Sequence, residues 1–241
     1  QTQQQNNAQT AQEMVDSQDA ATAAALTYLG YKGTVTLYVS DVMAGAPADG
    51  KLKAGDQIVT VDGAKVTTAD QLRALISGRK VGEAVAIGFL RGGKRGSVTI
   101  TTAAAKDDPT RAIVGITPGL RTEFSVKVDI KLRDVGGPSA GLMFALGIVD
   151  KLGPTDLTNG LNIAGTGEIT PDGKVGAIGG IAQKMRGAKA QGATVFLSPA
   201  DNCAEAKQTK PSGISLIKVS TLTSALDALA TLRAHGAPPS C

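Results

Sequence analysis

The period of hydrophobic and polar positions changes several times along the chain. From Gln12 to Leu29 it is helical: Met14, Ala21, Ala25 and Leu29 share one face, acids Glu13, Asp16 and Asp19 come early, and Gly30 ends the run. Residues 1–11, all Gln, Asn, Thr and Ala, are expected to be disordered. Thr34 to Val42 reads as a strand, Gly45-Ala46-Pro47 as a turn, and Gln57 to Val61 as a short strand ending in Asp62-Gly63. Thr67 or Thr68 caps a helix with Leu72, Leu75 and Ile76 inside, closed near Gly78. Ala84–Leu90 and Ser97–Thr102 alternate around a glycine-rich turn, which predicts a hairpin, and Asp107-Asp108-Pro109 reads as a linker.

Beyond the linker, Ile113–Ile116 and Phe124–Leu132 read as strands; in the second, Phe124, Val126, Val128, Ile130 and Leu132 alternate with polar residues. The run Leu142–Val149 has no polar face and predicts a largely buried helix. Asn162–Ile169 reads as a strand entering the Pro171-Asp172-Gly173 turn, and Val175–Ile178 leads out of it. Gly179-Gly180 opens a helix ending near Gly192, Thr194–Leu197 and Ser215–Val219 are short apolar strands, and a last helix spans Ser220 to Ala234. No internal repeat is visible.

The 241 residues suffice for one large or two modest domains. A formal charge of +4 arises from dispersed Lys and Arg with few aromatics between them, so nucleic acid is not an expected partner. No apolar run approaches the roughly 20 residues of a membrane span. One histidine and two distant cysteines build no zinc site, and no metal or cofactor is expected. Cys203 and Cys241 permit one disulfide, closing a loop of about 40 residues and contributing on the order of 3–4 kcal/mol in the chain-entropy model.

The candidate chemistry begins at Ser139. Pro138 and the surrounding glycines set it at the N-terminus of the apolar helix, where free N–H groups and the positive dipole end can steady an oxyanion. A serine there is equally an ordinary N-cap. A nucleophilic serine needs a base, and His235, just before Gly236, reads as a helix-end histidine. Lysine can replace histidine where burial keeps it neutral. Lys184 borders the apolar face defined by Ile181, Met185 and Ala188, a position from which a lysine also reaches back into water. A glycine-rich phosphate loop over Gly165–Gly180 is a weaker alternative, because its Pro171-Asp172-Gly173 turn fits a hairpin.

Three motifs together, Val135-Gly136-Gly137-Pro138-Ser139-Ala140-Gly141, Thr166-Gly167-Glu168-Ile169-Thr170 and Ile178-Gly179-Gly180-Ile181-Ala182-Gln183-Lys184, resemble the proteolytic domain of the Lon family over roughly residues 112–220. The resemblance implies Ser139 as nucleophile, Lys184 as general base and Thr166 as a hydroxyl orienting the lysine amine. The sequence departs from the family at Gly136, where an acid is common; Asp134 is the nearest one. It contains no Gly-x4-Gly-Lys-Ser/Thr loop.

Ala46-Pro47-Ala48, Leu52-Lys53-Ala54-Gly55-Asp56-Gln57-Ile58 and Val61-Asp62-Gly63 resemble a bacterial PDZ domain, which implies capture of an extended peptide or free C-terminus, with Leu29-Gly30-Tyr31 as the carboxylate-binding loop. The alternative is a spacer with a degenerate groove. Glu13 to Ala21 is similar to the helix preceding the catalytic core in Lon proteases.

The expected fold is therefore α+β: a Lon-type proteolytic domain with an inserted PDZ domain, itself a small β-barrel-like sandwich with helices. The expected divisions are a disordered segment 1–11, a protease helix 12–29, a PDZ domain 30–105 and the proteolytic domain 106–241. The whole resembles the secreted or membrane-anchored PDZ–Lon proteases of the YlbL type. That likeness implies an extracytoplasmic location, an anchoring N-terminal helix absent from this chain, and an oxidised Cys203–Cys241 pair. The implied activity is that of an ATP-independent serine endopeptidase acting on unfolded or C-terminally exposed polypeptides, with a hexamer as a possible assembly. The rival reading is a peptide-binding PDZ adaptor whose Lon-like half is catalytically silent.

Overall fold

The computed structural model describes residues 3–131 and 137–241. The chain divides into two compact units, one made of residues 1–33 and 124–241 and the other of Thr34–Glu123. The first unit is thus discontinuous, with the second inserted in it.

Helix α1 (Gln3–Tyr28) opens the first unit, and the chain is helical well before the start expected at Gln12. The alanine-rich stretch propagates a helix readily, and its face Ala21, Ala24, Ala25 and Leu26 is buried.

The inserted unit comprises β1 (Thr34–Val42), β2 (Gln57–Val61), β3 (Ala64–Lys65), α2 (Ala69–Ser77), β4 (Ala84–Arg91), β5 (Lys94–Thr101), β6 (Ala103–Ala104), β7 (Ala112–Ile113) and β8 (Ile116–Glu123). Its antiparallel main sheet runs β5-β4-β2-β1-β8, with β3 paired to β2. Thr68 caps α2 by accepting from the Gln71 N–H. Gly92 and Gly93, both at positive φ, form the two-residue turn that lets β4 and β5 pair out to Arg91 and Lys94. Leu37, Val39, Leu52, Ile58, Leu72, Ile87 and Ile100 lie in its core.

The boundary expected at 105 lies instead at 123. β8 pairs with β1 from Thr34↔Glu123 to Val42↔Ile116 and completes the inserted sheet, so residues 106–123 belong to the inserted unit. The strand expected over Phe124–Leu132 makes no ladder among the described residues, although its inward residues Phe124, Val126, Val128 and Ile130 pack on the core. Alternation reported burial correctly; it does not report hydrogen-bond partners.

The rest of the first unit consists of a 3-10 turn Pro138–Ala140, α3 (Gly141–Leu152), β9 (Ile163–Gly165), β10 (Glu168–Ile169), β11 (Val175–Gly176), α4 (Ile181–Ala190), β12 (Val195–Pro199), a 3-10 turn Ala200–Asn202, α5 (Cys203–Thr209), β13 (Ser215–Val219) and α6 (Leu222–Arg233). β13, β12 and β9 form a parallel sheet buried on both faces. Val195, Leu197, Ile217 and Val219 meet α1, α3 and α6 on one face. Phe196 and Leu216 meet Ile181 and Met185 of α4 and Ala206 of α5 on the other. Asn162–Ile169 is not one strand but two: it breaks at Thr166-Gly167, where Gly167 has φ +156. Within 165–180, β10 and β11 pair as a hairpin around Pro171-Asp172-Gly173, the form that the turn residues favour over a phosphate loop. Cys203 and Cys241 form a disulfide, and Ser240 bridges to Ile217, tying the tail to β13.

In the inserted unit, Asp56 is buried at 1% exposure and accepts from Arg91 Nε and Nη2, each at 2.7 Å, and from the Lys53 N–H at 2.8 Å. Burial alone would raise its pKa, but the Arg91 hydrogen bonds, the Lys53 N–H and the nearby positive charge outweigh it and hold the carboxyl below its ordinary 3.8. Its stabilisation is therefore complete above that value and is lost as pH falls through the lower folded pKa. Asp56→Asn should cost the unit about 1–3 kcal/mol at neutral pH. Denaturant titrations from neutral to acid pH should show a steeper acid loss in the wild type than in the variant; parallel curves would rule the carboxylate out.

Candidate functional site

The site is assembled by three breaks in regular structure. Gly137, at φ +79, turns the chain into the short turn carrying Ser139. The β9–β10 break presents Thr166 and Gly167, and Gly180, in left-handed geometry, starts α4 with Lys184 in its first turn. Ile181 and Met185, fully buried, fix the inner face of α4, leaving the half-buried Lys184 at its border. From there Lys184 Nζ donates to Ser139 Oγ at 2.9 Å.

Thr166 comes to the same place but makes a different contact from the one expected. Buried at 3% exposure, its hydroxyl donates to the Ser139 carbonyl at 2.9 Å. Among the described residues no hydrogen bond joins it to Lys184. The Gly167 N–H also donates to the Ser139 carbonyl at 2.9 Å, and the Leu142 N–H returns a bond to the Gly167 carbonyl at 3.0 Å. A reciprocal pair thus fastens the start of α3 to the break in the strand. The acid question at Asp134 and Gly136 lies outside the described residues. His235 ends α6 in left-handed geometry, its N–H bonded to the Leu232 carbonyl.

Two further residues serve the site unannounced. Ser17, at 5% exposure in α1, donates from Oγ to the Pro138 carbonyl at 3.0 Å. Asn202 grips Ile178 with both ends of its amide, accepting from the N–H and donating to the carbonyl at 2.9 Å each, just before Gly179-Gly180 and α4. The signal for Ser17 was a small polar residue at helical spacing from Ala21 and Ala25, inside an otherwise apolar face. Asn202 had no local signal.

Leu29, Gly30 and Tyr31, expected to bind a peptide carboxylate, belong to the first unit instead. The Gly30 and Tyr31 N–H groups bond back to Thr27 and Leu26, closing α1, with Gly30 at φ +83. The helix runs to Tyr28, so these residues are needed as its cap. The inserted unit has its own cleft of about 500 Å³ between α2 (Leu72, Ile76, Ser77) and the Ala112–Ile116 segment leading into the edge strand β8.

The Lon protease (S16) C-terminal proteolytic domain matches residues 96–231, more than half of the chain. The chain belongs to that family. A PDZ domain matches residues 9–102. Lon protease 2 of Bacillus subtilis (strain 168) is 37% identical over 93 residues, covering 39% of this chain and 16% of that protein. Lon protease 1 of the same organism is 33% identical over 115 residues, 46% of this chain and 15% of the relative. The chain thus spans only a small part of the length of these relatives. The PDZ domain of an SdrC-like protein from Listeria innocua is 31% identical with a TM-score of 0.32, covering 34% of this chain and 92% of that one. The Lon-like chain thus combines a Lon-type proteolytic domain with a PDZ domain in an α+β fold.

Gly141 tests how tightly the start of α3 is held. A Cβ there would lie 2.8 Å from Ile169 Cγ2, 3.0 Å from Ser17 Oγ and 3.1 Å from the Ile169 backbone nitrogen. Gly141→Ala gains up to about 1 kcal/mol of helix propensity, but overpacking of about 1–3 kcal/mol outweighs it. A net loss of about 1 kcal/mol in denaturant unfolding is expected, and unchanged or increased stability would show the contact to be slack.

Proposed function

We propose that the chain is an ATP-independent serine endopeptidase that uses Ser139 as nucleophile and Lys184 as general base on unfolded or C-terminally exposed polypeptides. The observation that carries this reading is the 2.9 Å contact between Lys184 Nζ and Ser139 Oγ, made by residues 45 positions apart on different helical elements. A lysine that merely reached for water from the border of α4 would have no reason to end on that hydroxyl.

A lysine acts as a base only as the neutral amine. Ser139 Oγ then forms a bond to the substrate carbonyl carbon while its proton passes to Lys184 Nζ, and N–H groups at the start of the 3-10 turn receive the oxyanion. The tetrahedral species collapses, the C–N bond breaks, and Lys184 returns the proton to the departing amine. Water, deprotonated by the same amine, releases the acyl group and restores Ser139. Thr166 takes part through the main chain, holding the Ser139 carbonyl away from the reacting side.

Hydrolysis of unfolded casein without nucleotide tests the reading. Ser139→Ala and Lys184→Ala should each lower turnover by at least about 10³-fold while melting as the wild type does. Activity surviving either substitution sinks the dyad, and peptide binding with no turnover by the wild type would favour the silent adaptor.

For the inserted unit we propose peptide capture along the cleft between α2 and β8, by strand addition at the sheet edge. Its lining combines apolar Leu72, Ile76 and Ile113 with Arg73, Lys106 and Arg111 against the single acid Asp107, a balance suited to a peptide with an apolar last residue and a free carboxylate. In fluorescence anisotropy such a peptide should lose about tenfold in affinity when amidated, or when the exposed lining residue Met43 is changed to Asp. Tyr31→Ala should leave binding unchanged. The reverse pattern would return the role to the segment after α1.

A further inference from the structure

Two consecutive carbonyls flank the reactive side chain, and each is held by a buried hydroxyl from a distant part of the first unit. The Ser139 carbonyl is held by Thr166. The Pro138 carbonyl is held by Ser17, 121 residues earlier in the chain. The Pro138 carbonyl also accepts the Gly141 N–H, but that bond is internal to the turn and moves with it. The Ser17 bond differs in kind, because it fixes the turn against α1.

Peptide units are planar, and those of the described residues are trans, so each N–H points opposite to the carbonyl of its own unit. The unit joining Pro138 to Ser139 carries the Ser139 N–H. Drawing its carbonyl toward Ser17 therefore aims the Ser139 N–H away from α1. Thr166 and Gly167 act alike on the next unit, which carries the Ala140 N–H. The nucleophile's own N–H is the donor nearest to where an oxyanion forms when Oγ attacks, and such a donor works only when already oriented.

We propose that Ser17 is a positioning residue that orients the Ser139 N–H as an oxyanion donor; this rests on the assignment of Ser139 as nucleophile. A Cβ on Gly141 would come 3.0 Å from Ser17 Oγ, so the hydroxyl is packed directly against the start of α3. Ser17→Ala removes the donor while leaving the Pro138 carbonyl its bond to Gly141, so the turn persists with its orientation less tightly set.

The test is steady-state cleavage of a fluorogenic peptide, with active sites counted by a fluorophosphonate, together with the affinity of a tripeptide boronate. The boronate forms a tetrahedral adduct on the serine and places an oxygen where the oxyanion forms. Ser17→Ala should lower kcat per titrated site by about tenfold, a fraction of the 10²–10³ lost when such a donor is removed outright. KM should stay within about twofold and boronate affinity should fall in parallel with kcat. Ser17→Thr should recover most of both. If the alanine variant fails to fold, the near-isosteric pair Ser17→Thr and Ser17→Val carries the comparison, with only the hydroxyl differing in polarity.

A kcat per site within twofold of the wild type overturns the proposal. So does slower turnover with undiminished boronate affinity, or a change confined to KM. A wild type that neither cleaves the peptide nor captures the boronate overturns the serine–lysine assignment and this proposal together; an active wild type indifferent to Ser17→Ala overturns the proposal alone.

Discussion

The geometry of the candidate site hangs on one carbonyl. Ser139 C=O leaves the helical pattern to accept from Gly167 N–H and Thr166 Oγ1, and Leu142 N–H answers by donating to Gly167 C=O. The first N–H groups of a helix have no partner within it and must find one elsewhere. Here one of them finds it in a strand that has itself broken its ladder. Two local defects, a helix start and a strand break, thus satisfy each other. The serine is held where neither element alone would put it, and the helix that carries Lys184 needs only to be registered against this fixed point.

That registration comes from the other face of the parallel sheet. Phe196 and Leu216 bind α4 through Ile181 and Met185, whereas Leu197 and Ile217, one residue along on each strand, face α3 and its neighbours. Adjacent strand residues alternate faces, so α4, which carries Lys184, and α3, which follows Ser139, are positioned by successive residues of the same strands. Asn202 adds a clamp on Ile178, and the disulfide that follows immediately at Cys203 braces the clamp's own element.

Much of this was legible in the sequence because local rules and tertiary demands agreed. Thr34–Val42, Gln57–Val61 and Ser215–Val219 are strands with the expected bounds, and Thr68 caps α2 as its position implies. Lys184 could be placed at the edge of its helix by periodicity, but periodicity does not say what lies across from that edge; only the fold brings Ser139 there. The misreadings share a cause. Phe124–Ile130 alternates because one side is buried, a pattern that burial produces without strand pairing. Leu29-Gly30-Tyr31 looks like a binding loop because it ends a helix, and the two share the same glycine-centred pattern. Residues 116–123 have no strand signal of their own, and their role as the edge strand is decided by a partner more than seventy positions upstream, Thr34–Val42. Thr166 lies beside Ser139, and the atom it serves is a backbone carbonyl that no side-chain pattern reveals.

The register of β1 with β8 has a consequence for how the molecule assembles. Thr34 and Glu123 are directly paired, so the two ends of the inserted unit are strand neighbours. Helix α1 leaves the ribosome long before α3, the helix it is buried against, and it cannot bury its alanine face until the intervening residues exist. Closing a gap of that length through a random coil would be entropically costly and slow. The inserted unit has its own core and can fold first, and its folding brings the two cut ends of the first unit together before they meet. A folded inserted unit thereby joins the two cut ends of the first unit and shortens the loop that α1 and α3 must close.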